Sequence, residues 1–122
     1  MKQHPIHKSF GYAFSGIFHA IHDSRNFRLQ LYVGIGAVFA GKILEISRFE
    51  MLVIFIMTLL VLSAEMINSS LEEMTDLITN EHKMEAKIAK DVAAGMVLLV
   101  SLGAVIVGAV IFIPYILKLL EL

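Results

Sequence analysis

An all-α membrane protein, built from an N-terminal amphipathic surface helix and three transmembrane helices, is the fold class that this 122-residue chain predicts. Three observations carry the expectation. Hydrophobic residues make up 57% of the sequence and charged ones 17%, which is more apolar surface than one small soluble core can bury. The segment from Val92 to Leu117 holds no charged residue, and a bilayer core needs about 20 apolar residues to cross. Finally, Glu65 closes the uncharged run Met51 to Ala64, placing a carboxylate where hydrocarbon is expected. An ionisable group at such a position costs a few kcal/mol and is found mostly facing a protein interior or a reaction centre.

Each element has its own reason. Over residues 1–26, Ile6, Phe10, Ala13, Phe14, Ile17 and Ile21 recur at spacings of three and four, the pattern of a helix with one apolar face. The apolar residues are interleaved with polar ones, which excludes a secretory signal peptide and fits a helix at the membrane surface. The first span, 27–46, is the weakest, interrupted by Gln30 and Lys42. The second, 49–70, must run through Glu65 to reach full length, and the third is 92–117. Tight connections fall at Gly41 to Ser47 and around Thr79 to Lys83, so that 1–122 forms one membrane-embedded domain. Gly34, Gly36, Gly95, Gly103 and Gly108 are expected close-packing sites, and the seven methionines fill space.

Basic residues set the orientation. Lys2, Lys8, Arg25, Arg28, Lys83, Lys87 and Lys90 flank one side of these spans, and Lys42, Arg48 and Lys118 the other. A bias of seven to three puts the N-terminus and the loop before the third span in the cytoplasm. The formal net charge of −1 excludes a nucleic-acid-binding role. Without cysteine, the chain has neither disulfide nor thiol chemistry.

The carboxylate can then be placed on a surface. At about 100° per residue, Asn68, Ser69, Glu72, Asp76 and Thr79 all lie within about 60° of Glu65, forming one polar stripe. Glu65 and Glu72 are roughly 10 Å apart along the axis, one within the hydrocarbon edge and the other at the headgroups. Apolar surroundings make a carboxylate a better general base, while a wetter carboxylate can hold a divalent cation. Phosphoryl transfer from a Mg-nucleotide to a lipid hydroxyl needs both, together with cationic groups such as Lys90 beside Asp91. Taken alone, the stripe would also serve as hydrogen-bonding glue between helices. A small oligomeric transporter coupled to protons or cations is the alternative of another class, but a conduction path wants polar residues along its whole length. His19 and His22 have helical metal spacing without a third ligand and read as interfacial polar residues.

Glu65-x-x-Asn68-Ser69-x-x-Glu72, then Asp76, Lys90-Asp91 and Ala93-Ala94-Gly95, with Gly11-Tyr12, Gly16 and Asn26-Phe27-Arg28 upstream, resembles the bacterial integral-membrane diacylglycerol kinase and undecaprenol kinase family over nearly the whole chain. The resemblance implies a homotrimer in the cytoplasmic membrane that uses Mg2+ and ATP to phosphorylate a lipid alcohol at the cytoplasmic face. It implies that Glu65 is the general base, that Asn68 orients the base or the acceptor, and that Glu72 is a Mg2+ ligand. By the same resemblance Tyr12, Glu72, Glu81, Lys90 and Asp91 contact or support the nucleotide. Ser24 stands where the family has a glutamate sharing the metal with the residue matched by Glu72, so one ligand is replaced. Asn26-Phe27-Arg28 and the run from Ala86 to Gly95 look closer to the type that phosphorylates undecaprenol than to the type acting on diacylglycerol.

Overall fold

The computed structural model describes residues 3–121, so Lys2, counted in the charge bias, lies outside it. Four helices follow in order: α1 (Ile6–Asp23), α2 (Arg25–Ile43), α3 (Arg48–Ile78) and α4 (Met84–Leu119). No strand occurs among the described residues. The α3 helix is central, packing most extensively on α4 and next on α2, while α1 rests against α2.

Among the described residues, α3 and α4 are long and apolar enough to cross a membrane. At 31 and 36 residues they measure about 46 and 54 Å, well beyond a hydrocarbon core of about 30 Å. The helix that carries Glu65 therefore continues unbroken past the expected end of the second span. The expected first span forms a separate 19-residue helix, α2, which Arg25, Arg28, Gln30 and Lys42 make less apolar than α3 and α4. Within the chain α1 buries only Ala20, leaving Phe10, Phe14 and Phe18 exposed.

The helix ends are locally encoded. Ser47 and Glu50 form a reciprocal capping box at the start of α3, with Glu50 N–H donating to Ser47 Oγ at 3.1 Å and Ser47 N–H donating to Glu50 Oε1 at 3.0 Å. Tyr115 donates to the same carboxylate at 2.5 Å, fastening the far end of α4 to this cap. The α2 helix closes in a Schellman motif, in which Ile46 N–H reaches Gly41 O at 3.1 Å and Glu45 N–H reaches Lys42 O at 3.3 Å. Glu45 occupies the left-handed position at φ 54°.

Close packing between α2 and α3 rests on Gly34. A Cβ there would collide with the Thr58 methyl, and Thr58 is held in place because its hydroxyl donates to Ile54 O at 2.9 Å. At the other expected packing glycines, Gly36, Gly95, Gly103 and Gly108, a Cβ would meet nothing within 4 Å; Gly108 borders the open groove between α2, α3 and α4. Gly34→Ala should destabilise the protein by about 1–3 kcal/mol through overpacking. Thermal unfolding in detergent checks this, and Thr58→Ser, which removes the opposing methyl but keeps the hydroxyl, should restore most of the loss.

Candidate functional site

The site begins where α1 gives way to α2. Ser24 N–H donates to Ala20 O at 3.0 Å, closing α1, and the Ser24 hydroxyl accepts from Phe27 N–H at 3.1 Å, capping α2. Arg28 then reaches back, its guanidinium donating to Ile21 O at 2.9 Å and His22 O at 2.6 Å. These carbonyls are among those a helix C-terminus leaves without internal partners. Phe27, 3% exposed, anchors the corner in the core. Together these contacts hold Ser24 against the middle of α3.

Facing Ser24 on α3 are Glu65, 4% exposed, and Asn68, 7% exposed, the two buried polar residues among those described. Ser24 Oγ donates to Glu65 Oε1 at 3.4 Å, and Gln30 Nε2 donates to Glu65 Oε2 at 3.5 Å. One turn further on, Asn68 Nδ2 donates to Glu72 Oε1 at 3.2 Å. Both amides thus spend a donor on a carboxylate. Their carbonyl oxygens, Gln30 Oε1 and Asn68 Oδ1, are buried without a partner, and buried polar atoms are rarely left so. Two unsatisfied acceptors beside a carboxylate suit a ligand that brings a hydroxyl. The space in front of Glu65, Asn68 and Glu72 is a groove of about 500 Å³ that also takes in His19, Ser24 and Asp76.

A second groove, of about 460 Å³, lies at the α3–α4 turn and gathers Glu81, Lys90 and Asp91, with Asp76 shared between the two. Lys90 Nζ sits 2.5 Å from Asp76 Oδ1, and this hydrogen bond holds the ammonium above the usual lysine range. Lys87 pairs with Asp91 at 2.5 Å and Lys83 with Glu81 at 3.7 Å. Tyr12 lies in neither groove; it is exposed on α1, edge-on to His4 with ring centroids 5.5 Å apart. His19 pairs with Asp23 at 3.1 Å, while His22 Nδ1 lies 2.9 Å from Phe18 O.

No three acidic or imidazole side chains gather into a metal cage among the described residues. The groove in front of Glu72 offers mainly oxygens, its own carboxylate and those of Asp23, Glu73 and Asp76, with the His19 imidazole as its one nitrogen ligand of the metal-binding type. That set fits a hard cation such as Mg2+, which is commonly held by one or two carboxylates plus water and substrate phosphates. Two contributors escaped sequence reasoning. Gln30 reads there as an interruption of an apolar run, and Arg28 as a positive charge and a member of the Asn26-Phe27-Arg28 motif, neither with a site role.

A buried carboxylate, a second carboxylate among other oxygens and a groove in which three lysines pair with three acids, on a helical scaffold with two membrane-length helices, are parts from which a phosphoryl-transfer site can be built. The chain belongs to the prokaryotic diacylglycerol kinase family, whose model matches residues 11–112. It is 38% identical over 113 residues to a diacylglycerol kinase from a Synechocystis species, covering 92% of this chain and 65% of that protein. It is also 36% identical over 107 residues to an undecaprenol kinase from Bacillus subtilis, covering 88% of this chain and 87% of the relative.

Because Arg28 satisfies two terminal carbonyls of α1 through charge-assisted hydrogen bonds, Arg28→Ala should cost about 1.5–3 kcal/mol. Thermal unfolding measures the loss. Limited proteolysis should show new cleavage near residues 22–26, and Arg28→Lys should recover much of the stability, because both bonds leave the single Nη1 nitrogen and an ammonium has donors enough to replace it.

Proposed function

We propose that this chain is a lipid kinase that transfers the terminal phosphate of ATP to undecaprenol, giving undecaprenyl phosphate. In this reading α1 lies at the cytoplasmic surface, α2, α3 and α4 span the membrane, and three copies associate as a homotrimer. The carrying observation is the burial of Glu65 and Asn68, with two unpartnered acceptors, at the place where a polar groove meets apolar packing. Gln30 marks that junction. It holds Glu65 on one side and lines, on the other, an apolar groove of about 390 Å³ between α2, α3 and α4 that includes Val33, Gly34, Ile54 and Val105. A hydrocarbon chain and its terminal hydroxyl can therefore be held by neighbouring surfaces.

Chemically, Glu65 takes the proton of the acceptor hydroxyl as that oxygen forms its bond to the terminal phosphorus of ATP, and the bond to the departing ADP oxygen breaks. Asn68 aligns the acceptor and braces Glu72. Mg2+, held by the Glu72 carboxylate with water and phosphate oxygens, would neutralise phosphate charge. Tyr12, Glu81, Lys90 and Asp91 support the nucleotide, with Lys90 available once phosphate oxygens compete with Asp76 for its ammonium. Exposed apolar residues along α4, among them Leu98, Leu99, Val105, Ile106 and Val110, meet lipid or other copies. The Bacillus relative, matched over 87% of its length, supports undecaprenol as acceptor. The Synechocystis relative supports diacylglycerol as the second reading.

Purified protein in bilayers with Mg-ATP should phosphorylate undecaprenol faster than diacylglycerol. A reversed preference would establish the second reading, and transfer to neither would sink the kinase assignment. Glu65→Gln should lower kcat by about 10²–10⁴-fold, the usual scale for loss of a positioned base. Nucleotide binding, followed by a fluorescent ATP analogue, should change little, since the loss falls on the chemical step.

A further inference from the structure

We propose that Ser24 and Gln30 are positioning residues for the Glu65 base, and that Ser24 serves the base in place of the metal. The inference rests on the lipid-kinase reading of the same site. Its starting point is that the two oxygens of Glu65 each accept from one side chain of the α1–α2 region, Oε1 from Ser24 Oγ at 3.4 Å and Oε2 from Gln30 Nε2 at 3.5 Å. Two donors on opposite oxygens fix the plane of a carboxylate as well as its place.

The Ser24 hydroxyl is committed at both ends. It has one proton and two lone pairs; the proton goes to Glu65 and one lone pair receives Phe27 N–H at 3.1 Å. A rotor held in this way has a single lone pair left for a cation. Glutamate at the same position could offer a metal two charged oxygens but has no proton to give to Glu65 when ionised. Serine thus exchanges a metal contact for a donor to the base. Gln30 is likewise oriented, because a carboxylate partner requires its amide nitrogen, and its carbonyl oxygen is left buried.

Hydrogen bonding and catalysis test this separately. In NMR spectra of the detergent-solubilised protein, the Gln30 side-chain amide, assigned by its disappearance in Gln30→Ala, should shift in Glu65→Ala; an unmoved resonance would overturn the contact. In the kinase assay, Ser24→Gly and Gln30→Ala should each lower kcat about tenfold or more, the scale on which supporting groups act through the residue they orient. The KM for Mg-ATP and the half-saturating Mg2+ concentration should stay within about twofold, since neither contact is to the nucleotide or the metal. Glycine serves nearly as well as serine at a helix N-cap, so the Ser24→Gly loss is not one of capping, and Ser24→Thr, which restores the hydroxyl, should recover the rate. A raised Mg2+ midpoint in Ser24→Gly, with kcat intact at saturating Mg2+, would make Ser24 a metal ligand and overturn the proposal. So would failure of Ser24→Thr to recover. An active wild type with indifferent variants sinks this inference alone, whereas a wild type that phosphorylates no lipid alcohol sinks the kinase reading with it.

Discussion

A carboxylate buried in an apolar helix bundle has to be supplied with donors, and the architecture at the α1–α2–α3 junction answers that requirement. Isolated charge in such surroundings is strongly disfavoured. Glu65 receives one donor from the corner between α1 and α2 and one from the first turns of α2. The corner itself exists because Ser24 caps in both directions and Arg28 satisfies the carbonyls that α1 leaves open. Interactions that would elsewhere be routine capping here deliver a hydroxyl to a charge.

The same logic runs outward along α3. Asn68 links the buried acid to Glu72 by donating to it, and Asp76 links the groove around Glu72 to the one at the α3–α4 turn by holding Lys90. Polarity thus increases from a buried carboxylate to solvated ion pairs. Exposed pairs of this kind add little stability, so the Lys90–Asp76 pair can be exchanged for another partner at small cost.

Much of this was legible in the sequence because it depends on one helix. Helical periodicity alone aligns Glu65, Asn68 and Glu72, and the turns near 41–47 and 79–83 carry recognisable ending residues. What periodicity cannot show is which residues of other helices meet that stripe. Gln30 reads locally as a flaw in a span, and its value comes from lying against an acid 35 positions away. Ser24 reads as a missing ligand until its hydroxyl is seen between Phe27 and Glu65. The glycines teach the same lesson: Gly34 meets Thr58, whereas Gly36, Gly95, Gly103 and Gly108 have open space around them, and nothing local distinguishes the first from the rest. Tyr12, Glu81, Lys90 and Asp91 do not converge with Glu65 on one point: Tyr12 lies exposed on α1, and the other three line the groove at the α3–α4 turn.

One property of α3 reaches further. Its 31 residues contain neither glycine nor proline, whereas α4 carries Gly95, Gly103, Gly108 and Pro114. A helix free of such breaks kinks little, so the separation of Glu65 from Glu72, roughly 10 Å, is set by helical pitch and cannot be adjusted. The molecule therefore works as a gauge of fixed length. Under the lipid-kinase proposal, the alcohol would be presented at one mark and the phosphate at the other, and depth in the bilayer would become a criterion of selection in its own right.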